Sequence, residues 1–117
     1  MRDTYLEINL NQVSENIKKI KEYANGKAEI APVIKADAYG EGAIHFKQIL
    51  EENEIKIVAV ALTDEAIKLR EAEFKQKILI LNELLESDLE DIIKYDLTPR
   101  ISLYEIAEEL NNIAIKE

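Results

Sequence analysis

The chain has 117 residues, 47% apolar and 33% charged, with no cysteine and a net charge of −9. This balance describes a single globular unit with a modest core; it excludes a disulfide framework and thiolate metal sites, and it opposes binding to a phosphate backbone. No run reaches the ~18 apolar residues of a membrane span, and Met1-Arg2-Asp3-Thr4-Tyr5 lacks an apolar signal stretch, so a cytoplasmic protein that engages neither membrane nor nucleic acid is expected.

Tyr5 to Leu10 alternates apolar and polar residues, which predicts a half-exposed strand. Asn11 can cap a helix carrying Val13, Ile17, Ile20 and Ala24 on one face, closed by Asn25-Gly26. Ile30 to Lys35 reads as the next strand, with Pro32 placing it at an edge or near a strand start. Ala43 to Leu50 reads as a helix that buries Phe46, Ile49 and Leu50. Ile55 to Ala61 is nearly all apolar, as in a strand covered on both faces.

Thr63-Asp64-Glu65 supplies a capping hydroxyl and two acids for a helix running to about Ala72. Ile78 to Leu81 is another apolar strand. Ser87-Asp88-Leu89-Glu90 and Ser102-Leu103-Tyr104-Glu105 fit the capping-box pattern and predict helices near 88–94 and 103–113. Leu97-Thr98-Pro99-Arg100-Ile101 between them is a short strand. A leading strand and helix followed by four strand–helix units predicts an α/β fold with a parallel sheet and right-handed crossovers. No linker, repeat or low-complexity tract divides residues 1–117, so no internal domain boundary is expected.

The chemistry concentrates at Ala31-Pro32-Val33-Ile34-Lys35-Ala36-Asp37-Ala38-Tyr39-Gly40, followed by Gly42. A lysine after an apolar parallel strand sits on the edge where α/β sheets assemble their sites. There a partly desolvated amine can attack an aldehyde and form an imine. Tyr39 offers a phenol to a phosphate oxygen, and the glycines let backbone approach closely. Taken alone, a strand-end lysine is most often one whose stem lies on apolar surface with its ammonium in water.

The full string Val33-Ile34-Lys35-Ala36-Asp37-Ala38-Tyr39-Gly40 with Gly42 closely resembles the cofactor-lysine signature of the alanine racemases. The likeness extends through Leu6-Glu7-Ile8-Asn9-Leu10, Ala59-Val60-Ala61, Asp64-Glu65-Ala66, Leu69-Arg70-Glu71-Ala72, Ile78-Leu79-Ile80-Leu81 and Tyr95-Asp96-Leu97-Thr98-Pro99. It departs at Glu41, where that family commonly has histidine. The resemblance implies a homodimeric fold-type III enzyme that binds pyridoxal 5'-phosphate. Its (βα)8 TIM-type barrel is followed by a C-terminal β domain. This chain would be the N-terminal part of the barrel, a leading strand–helix plus about four βα units.

On the same resemblance, Lys35 carries the cofactor as a Schiff base and moves the α-proton of the D-amino acid. Tyr39 contacts the cofactor phosphate, and Leu81 lines the pocket. The substrate would be alanine, within a pathway to cell-wall precursors. The second base, a tyrosine of the partner subunit, and the arginine facing the pyridine nitrogen have no counterpart here; nothing around Arg100 fits that arginine. The isolated chain would therefore be weakly active or inactive. The residues also leave room for a cofactor-binding module without turnover, or for a structural half-barrel that assembles with a partner. His45, the one histidine, reads as a surface or packing residue, and no metal site is expected. Gly40-Glu41-Gly42 is too short for a nucleotide-binding fingerprint. Tyr5, Tyr23, Tyr95 and Tyr104 lack a basic stripe and read as partial core packing.

Overall fold

The computed structural model describes residues 3–117; Met1 and Arg2 of the opening segment lie outside them. Asn9, not Asn11, caps the first helix: its side-chain oxygen accepts from the Gln12 amide at 3.1 Å, and α1 runs Leu10–Ala24. Ile17 is buried on that helix and Val13 packs beside it, but Ile20 is 52% exposed and off the core face. The expected strand from Tyr5 to Leu10 does not form. Residues 3–9 are irregular, because the alternating segment has no ladder partner among the described residues.

The sheet is built from β1 (Ile57–Val60), β2 (Lys77–Ile80) and β3 (Thr98–Pro99), parallel and in the order β1-β2-β3. Helices α2 (Lys47–Glu52), α3 (Thr63–Glu71), α4 (Leu89–Lys94) and α5 (Tyr104–Lys116) alternate with the strands. Short 3₁₀ turns, Ala43–Phe46 and Glu86–Asp88, lead into α2 and α4. The capping boxes do not form as written. Asp88 caps by accepting from the Leu85 amide at 2.8 Å, and the Ser102 hydroxyl turns to Glu83 instead.

The expected strand Ile30 to Lys35 shrinks to one parallel bridge, Val33 opposite Ala59. Ala59 N–H donates to the Pro32 carbonyl (2.9 Å) and Ile34 N–H to the Ala59 carbonyl (2.8 Å), so residues 32 and 34 point at β1. The next bond down this ladder would need an N–H at residue 32, and proline has none. The segment still extends the sheet to a fourth position. Val33, Ala59, Leu79 and Thr98 stand in one row across it.

One face of the sheet is buried under the helices. Ile34, Val58, Val60, Ile78 and Ile80 point that way and join Leu50, Ala66, Leu69, Phe74 and Ile92 in the core. The opposite face, with Ile57 and Leu79 half-buried, Val33 39% exposed and the small Ala59 buried, carries no helix among the described residues. The apolar run at 55–61 is thus covered on one side in this chain, not on both. Its unbroken apolar character answers to a second face lined by strand side chains, as in a barrel interior.

Each helix–strand junction closes in the same way. Ile55, Phe74 and Leu97 donate their amides to the carbonyls of Leu50, Leu69 and Ile92, at 2.9, 3.0 and 2.9 Å. Each of these six side chains is buried, so every closure pairs an apolar residue inside the helix with one just past its end. The residue between is left-handed every time: Glu54 (φ 55°), Glu73 (φ 65°) and Asp96 (φ 50°). Glycine is the usual occupant of that position. Here an acid stands at the negative end of a helix dipole, in backbone geometry that costs an L-residue roughly 1–2 kcal/mol.

Glu73→Gly is therefore expected to raise stability by about 1 kcal/mol, while its neighbour Phe74→Ala, which empties a site only 1% exposed, is expected to cost about 3–5 kcal/mol. Urea unfolding of the two variants measures both.

Candidate functional site at the strand ends

Register places Lys35 where the argument from sequence expects it. Two residues beyond the row Val33, Ala59, Leu79 and Thr98 stand Lys35, Ala61, Leu81 and Arg100, just past the C-terminal ends of the strands. Leu81 N–H donates to the Val60 carbonyl at 2.8 Å, and Arg100 N–H to that of Ile80 at 3.2 Å, so the ladder persists to this level. Lys35 and Leu81 are both half-buried.

The chain turns sharply at Lys35. Residues Lys35–Tyr39 form a helical turn of the wrong hand: Ala36, Asp37, Ala38 and Tyr39 have φ of 49°, 55°, 55° and 57°. Four L-residues in this region are costly, at roughly 1–2 kcal/mol each. Several bonds hold them there. Ala38 N–H donates to the Ile34 carbonyl (3.0 Å), Gly40 N–H to Ala36 (2.9 Å) and Gly42 N–H to Asp37 (2.8 Å). The Asp37 carboxylate accepts from the Ala43 amide at 2.9 Å, and the Ala38 methyl is buried. Gly42 is favoured by its φ of 90°; a Cβ there would also stand 2.6 Å from Cδ2 of His45, so that exposed ring would have to turn aside. His45 itself is exposed, with its ring over Gly42, in keeping with a packing role.

The turn returns Tyr39 to the side of the lysine. Lys35 Nζ lies 6.0 Å from the centre of the Tyr39 ring, and the tyrosine is 65% exposed. An amine and a phenol thus face the same open space at the sheet's C-terminal edge. The residue that argument from sequence missed is Glu65. One of its carboxylate oxygens accepts from the amides of Ala61 (2.9 Å) and Leu62 (2.8 Å), capping α3. The other accepts from the Ala36 amide at 2.6 Å. Thr63 is the first helical residue rather than the cap. A glutamate in the third helical position, able to reach back to the cap amide, was the available signal.

Further along the same edge, Glu83 accepts from the Ser102 hydroxyl and from Arg100 Nη2 at 3.2 Å. Arg100 is thus paired with Glu83 on an exposed part of the edge. The Ser102 hydrogen bond is the largest influence on the Glu83 carboxyl and holds it below its ordinary pKa; desolvation opposes it, and the Arg100 bond and charge add smaller lowering effects. A groove of about 500 Å³ lined by Lys21, Lys27, Glu29, Ile55 and Lys56 opens at the other end of the sheet, away from Lys35. Among the described residues no group of three or more His, Asp or Glu side chains could hold a metal, and no helix is long and apolar enough to cross a membrane.

Parallel βα units in this order describe part of a (βα)8 barrel, and Lys35 stands on the edge where such barrels form their sites. Residues 8–117 match the family of the alanine racemase N-terminal domain, and the chain belongs to that family. It is 40% identical over 113 residues to the alanine racemase of Clostridium kluyveri, covering 97% of this chain and 29% of the relative. It is 39% identical over 115 residues to that of Halothermothrix orenii, covering 98% and 30%. Among solved structures, alanine racemase of Clostridium difficile 630 in complex with cycloserine superposes with a TM-score of 0.92 at 36% identity, covering 99% of this chain and 31% of that one. The chain thus spans less than a third of the length of these relatives. The fold is a partial TIM-type barrel.

Because the folded carboxylate of Glu83 is depressed, its contribution is present above the unfolded pKa and lost as pH falls through the folded one. Ser102→Ala is expected to move the Glu83 midpoint up, toward the ordinary carboxylate value, in a ¹³C NMR titration; an unmoved midpoint would show that the hydroxyl contributes nothing.

Proposed function

We propose that this chain is the N-terminal portion of the cofactor-binding barrel domain of a racemase that interconverts L- and D-alanine with pyridoxal 5'-phosphate. The observation that carries the reading is the position of Lys35, in the row just past the parallel strands, within a chain that matches the alanine racemase N-terminal domain from residue 8 to residue 117. The chemistry of the donor set fits the cofactor: a half-buried amine, and an exposed tyrosine whose ring centre lies 6.0 Å from it. Bound pyridoxal phosphate supplies an aldehyde for an amine and an electron sink for the carbanion at the substrate's α-carbon.

The chain's own residues then divide the work. Lys35 Nζ would hold the cofactor through its aldehyde carbon and, as a free amine, would be the base that holds or returns the α-proton. Tyr39 donates its phenolic hydrogen to a phosphate oxygen. Leu81, level with Lys35 and half-buried, closes the apolar side of the pocket. The left-handed turn keeps Lys35 and Tyr39 on one side of the strand ends. Racemisation needs a second base on the opposite face of the α-carbon, and the reading places it on a partner subunit of a homodimer working in the cytoplasm. The names of the curated relatives support alanine as substrate.

The test is reductive trapping. The chain is incubated with pyridoxal phosphate and borohydride, and the adduct is mapped by mass spectrometry. A predominant adduct on Lys35, absent in Lys35→Ala, is expected, together with little or no racemisation of L-alanine by the 117-residue chain. Labelling spread over the lysines in order of their exposure would overturn the cofactor role. Robust racemisation by the monomeric chain would overturn the requirement for a second subunit's base.

A further inference from the structure

We propose that Glu65 is the positioning residue for Lys35, joining the start of α3 to the turn that presents the amine; the proposal rests on the reading of Lys35 as the cofactor lysine. The left-handed turn begins at Lys35, and the first amides of a helical turn have no partner within it. Ala36 supplies such an amide, on the peptide bond that leaves Lys35. Its acceptor is not a neighbour in sequence but the Glu65 carboxylate, at 2.6 Å and 29 residues away. The other oxygen of the same carboxylate takes the amides of Ala61 and Leu62, which continue β1 into α3.

One side chain therefore fixes three backbone amides on two chain segments, at the level of the sheet where Lys35, Ala61 and Leu81 stand in a row. The bonds are charge-assisted, the stronger kind. The arrangement also needs both oxygens as acceptors, which only a carboxylate provides. A carboxamide has one oxygen and an NH₂ group that is itself a donor. Glutamine at 65 can keep the two amides of the α3 cap or the single amide of Ala36, not both. Holding two amides is the better bargain, so the turn is what lets go. Glu65 touches neither amine nor cofactor in this account; it acts by fixing the Cα of Lys35 against the strand ends.

The experiment compares the whole chain with Glu65→Gln and with Arg70→Lys. Arg70 donates to the carbonyls of Phe74, Gln76, Tyr95 and Asp96, so its loss weakens the fold away from Lys35. NMR hydrogen exchange reads the Ala36 amide, and borohydride trapping with pyridoxal phosphate reads the share of adduct on Lys35. Glu65→Gln is expected to speed Ala36 exchange at least tenfold relative to the β1 amides, and to cut the Lys35 share of adduct at least fivefold. Arg70→Lys is expected to change both relative measures by less than twofold. Unchanged Ala36 exchange in Glu65→Gln, or an equal loss of Lys35 preference in Arg70→Lys, would overturn the proposal. A wild-type chain with a protected Ala36 amide but no preference for Lys35 would remove the cofactor reading and leave Glu65 a structural clasp, which overturns its positioning role as well.

Discussion

A helix that feeds a strand must first satisfy its last carbonyls and turn the chain about, and here one solution to that constraint is used three times. Leu50 with Ile55, Leu69 with Phe74, and Ile92 with Leu97 each close a helix by the same backbone bond between buried residues. The closure determines where the following strand starts, so β1, β2 and β3 enter the sheet from equivalent positions. Equivalent starts make equivalent ends possible, and the level of Ala61, Leu81 and Arg100 follows from that. The acidic side chains at 54, 73 and 96 play no part in this; those residues occupy the left-handed position that the bond pattern demands.

The turn at Lys35 follows a different logic. The helix closures are local, made by residues five apart. The left-handed turn is held partly by its own bonds, through Asp37 and the Gly42 amide, and partly by Glu65 from the next βα unit. Backbone of this kind is costly, and it persists only where the surroundings over-determine it. Its clustering with an amine and a phenol at one sheet edge is what a site built for placement, more than for stability, would show.

The regular elements were legible because their signals are local. Continuous apolar runs marked β1 and β2, and the acids of Thr63-Asp64-Glu65 marked the start of α3. The failures have local signals overruled by distant partners, or by their lack. Tyr5 to Leu10 alternates like a strand but meets no ladder partner among the described residues. Ile30 to Lys35 reads as a full strand, and a single missing donor at Pro32 reduces it to one bridge. Nothing in Ala36-Asp37-Ala38-Tyr39 announces a left-handed turn, since alanine favours the opposite hand. Glu65 was visible as a helix-start acid, but its hold on an amide 29 residues away was not. Lys35 and Tyr39 stood out through the string that contains them; the left-handed turn between them and its bond to Glu65 did not.

The second of the two prolines has the opposite effect from the first. On β3 it is the residues flanking Pro99 that face β2, as the bond from the Arg100 amide to the Ile80 carbonyl shows, so the nitrogen without a hydrogen faces outward. Where Pro32 shortens a ladder inside the sheet, Pro99 blunts its free margin. An exposed strand edge is a template on which another chain can add. During synthesis at about 5–20 residues per second, a βα array waits with such an edge uncovered until its next strand emerges. A two-residue strand with no outward donor at Pro99 offers a poor template in that interval, which favours completion in sequence over pairing with a neighbouring nascent chain.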